Sequence, residues 1–197
     1  RCVRLLATAF PTVPIFIDTA DPVLLNQVVA ACVGVGVVAP LIANAIPVGA
    51  GGAAQPDATA ALRTAARIGA GVVLSPRLIE PVVEGAVAGA SAHDLALAAL
   101  AAAKAARAGG VRGGIYLDAL AFPSVSNGVR CRRSLEVLRA WRLAGSSEGD
   151  RSGLYGLVAV GNVGYGASVE LASTLRAVYA AAAVGAGATA LILPVEE

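Results

Sequence analysis

The sequence predicts an α/β fold of parallel βα units, arranged as a TIM-like (β/α) barrel. Three observations carry this. Short apolar runs recur along the chain and alternate with helical patterns. The repeat is about 30 to 35 residues, the length a βαβ unit requires. Polar residues also gather where the runs end: Asp18, Asn44, Ser75 with Arg77, Asp118 and Asn162. A barrel and a doubly wound open sheet both bind ligands at that edge. The open sheet is expected to carry GxGxxG leading into a helix. "GNVGYG" has the wrong spacing, with no acid about twenty residues beyond it, so the barrel is preferred.

The elements follow in order. Arg1 to Phe10 reads as the end of a helix. "VPIFID" (Val13–Asp18) reads as a buried strand. Pro22 to Cys32 follows as a helix, with Asp21 as N-cap and Pro22 in the first turn. "GVVAPLIAN" (Gly36–Asn44) is the second strand, its start blurred by Pro40. Asp57 to Ile68 is a helix and "GAGVVLSPR" (Gly69–Arg77) the third strand. Ser91 to Ala108 is a helix with a capping box from Ser91 and Asp94, ended by Gly109-Gly110. "GGIYLDA" (Gly113–Ala119) is the fourth strand and Ser134 to Leu143 a helix. "GLYGLVAVGN" (Gly153–Asn162) is the fifth strand. Ser168 to Val184 is a helix stopped by Gly185 and Gly187, and "ATALILP" (Ala188–Pro194) the sixth strand. Residues 1–197 therefore read as one barrel domain showing six βα units where a barrel has eight, as if its first two units were lacking.

Composition narrows the function. The chain is 57% hydrophobic and 14% charged, so much of it must be buried. Aromatic residues are 4%, net charge is +2, and no basic block exceeds the Arg130/Arg132/Arg133 cluster; nucleic acid is not an expected partner. Cys2, Cys32 and Cys131 form no C-x-x-C. That argues against a disulfide framework or zinc site and fits a soluble protein of a reducing compartment, cytoplasm or organelle stroma. His93 is the single histidine, which excludes HExxH chemistry and gives a Ser-His-Asp triad little support; it reads as a solvated helix residue. No metal site is expected. Pro22 to Pro56 lacks charge, but Pro40, Pro47 and four amides interrupt it, so buried helix plus strand is preferred to a membrane span.

At the strand ends, a carboxylate such as Asp118 can accept two hydrogen bonds from a flat N–H/NH₂ edge, and an amide on a neighbouring strand can bond a ring nitrogen or carbonyl. Acids and amides on different strands suit a pterin. By pattern alone they would also suit a metal, a sugar or an amine.

"FIDTADP", "LIAN", "YLDALAFP" and "GLVAVGNVGYG" resemble, in the same order, the strand signatures of the pterin-binding barrel family. Within it the chain resembles methyltetrahydrofolate:corrinoid methyltransferases and the folate module of cobalamin-dependent methionine synthase; dihydropteroate synthase shares the fold of that family. The resemblance runs from Val13 onward, as strands three to eight of such a barrel. It implies that Asp118 holds the pterin's 2-amino and N3–H edge, that Asp18 and Asn44 line the other side of the ring, and that Asn162 reaches N5 as the catalytic amide. The implied ligand is a reduced pterin or folate, methyltetrahydrofolate or an analogue. The implied acceptor is a corrinoid carried by a partner protein. Ala119 stands where the family pattern has proline, and Gly161 and Gly164 where it has serine. The lysine and arginine of dihydropteroate synthases are missing from the last two strands, so sulfa-target chemistry is not implied. The alternative is an inactive barrel serving as a structural or binding subunit of a larger homo- or hetero-oligomeric assembly. A third reading has Arg77 anchoring a small anionic substrate of an unrelated α/β enzyme; equally, Arg77 is a surface charge.

Overall fold

The computed structural model describes residues 2–19, 21–33, 40–48, 56–76, 91–146 and 153–195. Helix α1 (Cys2–Ala9) leads into β1 (Ile15–Asp18), followed by α2 (Pro22–Val33), β2 (Leu41–Val48), α3 (Pro56–Ile68) and β3 (Gly71–Pro76). Then come α4 (Ala92–Ala108), β4 (Ile115–Asp118), α5 (Ser124–Ser146), β5 (Leu154–Ala159), α6 (Val169–Ala186) and β6 (Ala190–Ile192). Arg77 lies outside the described residues.

All six strands are parallel, and their order in the sheet is their order in the chain. A doubly wound sheet reverses order at a switch point; a barrel does not. The helices share one face of the sheet. Ile17, Ala43, Val72, Leu74, Ile115, Leu117 and Val158 point into a core completed by Leu25, Ala65, Ala99, Leu138 and Ala183 from the helices. The opposite face is a smaller cluster of Ile42, Val73 and Leu157 with Tyr116 and Ala190 against them. Phe16 on β1 and Tyr116 on β4 are three strands apart, yet their ring centroids lie 5.3 Å from each other. A flat sheet would hold them about 14 Å apart at the usual strand spacing. The sheet is therefore strongly curled, a half-barrel with the aromatic residues inside. It is not closed: β1 and β6 do not pair with each other. Phe16 and Tyr155 each remain 37% exposed where a closed barrel would bury them.

Three boundaries differ from the sequence reading. The second strand starts after Pro40 and runs through Pro47 to Val48, so Asn44 lies within it and not at its end. Pro40 lacks an N–H but its carbonyl accepts from Ile15 N at 2.9 Å, so it closes the start of the ladder. The fifth strand ends at Ala159. Val160–Gly164 winds into a 3₁₀ turn, pinned by buried Val160 and Val163. Asn162 sits in that turn and not on the strand. Helix α5 begins at Ser124, ten residues before Ser134, with a break at Asn127 (φ −149°, ψ 45°). Its Ser/Asn/Gly-rich opening hides the helix from propensity. The capping box of α4 is present as expected: Ser91 Oγ accepts from Asp94 N at 3.1 Å, and Asp94 Oδ2 accepts from Ser91 N at 3.0 Å.

Among the described residues, α6 alone is long and apolar enough to cross a membrane by length and composition. Its Ala172, Tyr179, Ala183 and Ala186 are buried, three of them in the main core, and the Tyr179 hydroxyl donates to the carbonyl of Cys131 on α5 at 3.2 Å. These contacts pack one stripe of it against the half-barrel.

Candidate functional site

Alternation along each strand sets the site. Tyr116 and Phe16 point to the concave face, so Asp118 and Asp18, two residues on, point there as well. Asp18 pairs in register with Asn44, and the Asn44 amide donates to Asp18 Oδ1 over a long 3.4 Å. Val73 lies on the same face, which brings Ser75 to the rim of β3. The C-terminal mouth of the half-barrel thus carries Asp18, Asn44, Ser75 and Asp118 above a floor of Phe16, Tyr116 and Tyr155. Tyr116 and Tyr155 stack at 4.8 Å between centroids. Burial, and secondarily Tyr155, pushes the Tyr116 phenol up from its ordinary range.

The two sides of the mouth differ. Asp18 is exposed, and the chain turns directly after it: Thr19 N donates to the Asn44 carbonyl at 2.7 Å. Asp21 then caps α2, its Oδ1 accepting from Val23 N at 2.8 Å. Asp118 is only half-exposed, and burial pushes its carboxyl above the usual carboxylate range. The N–H of Leu120 offsets part of that, donating to Asp118 Oδ1 at 2.9 Å. Leu120 has φ of +53°, the left-handed region that a branched side chain rarely occupies. Its N–H is held by Asp118, and its carbonyl accepts from Ser134 Oγ at 2.8 Å. Asp118 therefore shapes its own loop while keeping carboxylate valence for a ligand.

Asn162 does not face Asp118 through a direct bond. Its Nδ2 donates to the Ala121 carbonyl at 3.3 Å, and Ser124 Oγ donates to the Val163 carbonyl at 3.0 Å. These two bonds join the loop after β4 to the turn after β5. The structure thus brings Asp18 and Asn44 together, and ties the loop that follows Asp118 to the turn that carries Asn162.

Two of the residues that differ from the pterin-binding pattern, Ala119 and Gly164, are held by their surroundings. A proline at Ala119 would remove the bond from Ala119 N to the Leu157 carbonyl at 3.0 Å. A side chain at Gly164 would put a Cβ 2.9 Å from both Ala172 Cβ and Arg176 Nε on α6. Gly161 has ordinary clearance, with Pro194 Cδ at 3.5 Å, and nothing in the structure explains the glycine there.

Sequence reasoning missed the aromatic floor. The signal was present: Phe16 and Tyr116 each stand two positions before a strand-end acid, the spacing that puts both on one face. It also missed Arg107 at the other end of the strands. That guanidinium donates to the carbonyls of Val111 (3.0 Å), Gly113 (2.6 Å) and Gly153 (3.2 Å). His93 is exposed in the first turn of α4. Of the arginines on α5, Arg132, Arg139 and Arg142 are exposed, whereas Arg130 and Arg133 are half-buried, Arg130 packing over the Phe122 ring at 5.3 Å. No protein-family model matches this sequence, and no curated protein does.

Proposed function

We propose that the concave mouth binds a reduced pterin or folate and that the chain serves methyl transfer from an N5-methyl carrier. One observation carries the reading: two acids and an amide stand at the C-terminal ends of, or within, three strands of one curled sheet, beside a partly open aromatic floor. The donor set suits the ring. Asp118 is acceptor-only when ionised and matches the 2-amino and N3–H edge; burial strengthens each bond it makes. Asp18 and Asn44 offer an acceptor and a donor for the other side of the ring. Asn162 gives one amide N–H to Ala121 and has a second for N5.

During transfer the methyl carbon leaves N5, the C–N pair stays on nitrogen, and N5 takes a proton from water. The new bond to carbon uses a pair from a nucleophilic acceptor, a reduced corrinoid on a separate protein. The Asn162 amide stabilises the leaving nitrogen if its bond strengthens as charge develops there. The tie from Asn162 to Ala121 favours a second reading, in which the mouth binds but does not turn over and the chain is a binding subunit of an assembly.

Titration with methyltetrahydrofolate tests both. Saturable binding that weakens about tenfold or more in Asp118→Ala is expected, the loss typical of a charge-assisted pair. Asn162→Ala should keep affinity and lose methyl transfer to a corrinoid acceptor. Binding without transfer in the wild type selects the subunit reading. No binding at millimolar ligand removes both.

A further inference from the structure

We propose that the groove between α2 and α3 is an anion site for the phosphate of a phosphorylated, hydroxyl-bearing small molecule. The groove is an open surface depression of about 590 Å³, lined by Val23, Asn26, Gln27, Arg63, Thr64 and Arg67. Its chemistry is one-sided. Arg63 and Arg67 stand one helical turn apart on α3, both exposed, and no carboxylate is among the described lining residues. Neither guanidinium has an ion-pair partner among the described residues. Like charges at this spacing destabilise a helix, and an anion between them relieves the repulsion.

The facing wall from α2 adds donors. Thr64 is buried and gives its hydroxyl to Asn26 Oδ1. That bond occupies the amide oxygen and leaves Asn26 Nδ2 as a donor beside the Gln27 amide. The lining therefore offers N–H donors from two guanidiniums and two amides, beside the oxygens of Gln27 and Thr64. Two guanidinium forks match the paired oxygens of a phosphate. The volume exceeds that of a bare oxyanion and falls in the range of small-molecule sites, about 300–1,000 Å³. The amides then serve hydroxyls on the rest of the ligand. The site lies between helices in the outer layer, not on the concave face, so it stands or falls independently of pterin binding.

The test is calorimetric titration of the full chain with ribose 5-phosphate, with ribose and inorganic phosphate as comparators. Ribose 5-phosphate should bind, inorganic phosphate more weakly, and ribose not at all. Arg63→Ala and Arg67→Ala should each weaken binding about tenfold or more, and Arg67→Lys less, because it keeps the charge and loses the fork. Melting curves of the alanine variants should lie at or slightly above the wild type, since both side chains are exposed and the like-charge repulsion is removed. Arg112→Ala, an exposed arginine outside the groove, should change nothing. Equal loss in Arg112→Ala, equal binding of ribose, or no binding of either phosphate at millimolar concentration overturns the proposal. Tighter binding of an oligoglutamate peptide than of ribose 5-phosphate also overturns it, making the groove a peptide site.

Discussion

The two ends of the central strands are built on opposite terms. At the N-terminal ends of β3 and β4, backbones meet without side chains between them. A Cβ on Gly113 would stand 2.4 Å from Gly71 N and 2.5 Å from the Ala70 carbonyl carbon, and one on Gly71 would stand 2.6 Å from the Gly114 oxygen. Arg107 then ties the entries of β4 and β5 together through three carbonyls. At the C-terminal ends, burial raises the cost of ionising Asp118, and Leu120 sits in a left-handed conformation that costs about 1 kcal/mol. One end satisfies its polar groups and packs closely. The other tolerates strain and a reluctant acid, the pattern expected where a chain keeps a site.

The largest break in this comparison comes from Gly113→Ala. The atoms in the way belong to the backbone and cannot rotate aside, so a loss of about 3 kcal/mol or more is expected. It should appear as a lower urea midpoint with an unchanged slope. A midpoint within error of wild type would mean that this end is not closely packed. Arg107→Ala comes next, at about 2 kcal/mol, because it leaves carbonyls at the entries of two strands without their charged donor. Arg107→Lys should recover only part, since one ammonium cannot span carbonyls on both strands as a fork does. Full recovery would show that charge alone matters there.

Much of the closely packed end was legible in the sequence as punctuation. Gly109-Gly110 and Gly113-Gly114 mark a helix stop and a strand start, and the Ser91/Asp94 box fixes the opening of α4. The parallel order follows from apolar runs alternating with helices. What could not be read was curvature. Nothing local in "VPIFID" and "GIYLDA" says that Phe16 and Tyr116 touch; that depends on the whole sheet. The mouth was legible by residue type and less so by position. Asn44 was placed at a strand end because Pro40 blurred the start of β2. Asn162 was placed on a strand because the apolar run continues into a turn that glycines permit. Its bond to Ala121 is a tertiary contact without a local signal.

The smallest effect sharpens the comparison most, because its sign distinguishes two acids. The folded-state pKa of Asp118 lies above the ordinary value of 3.8, mainly through burial. Below 3.8 the carboxyl is protonated in both states and costs nothing. As pH rises through the folded pKa it must ionise where it is poorly solvated, and stability is lost. Asp118→Asn keeps an Oδ1 acceptor for Leu120 N–H and cannot ionise. The variant should match the wild type in acid and melt higher at neutral pH. Asp94 runs the other way. The Ser91 hydroxyl, and then its N–H, lower the Asp94 pKa, so its contribution is present above 3.8 and lost as pH falls through the folded value. Asp94→Asn should melt lower at neutral pH and converge with wild type in acid. Melting curves of all three proteins from about pH 3 to about pH 7 decide the matter. If Asp118→Asn tracks the wild type throughout, that carboxyl is as well solvated as a helix cap. The mouth would then lack the desolvated acceptor that makes Asp118 suited to an amino edge.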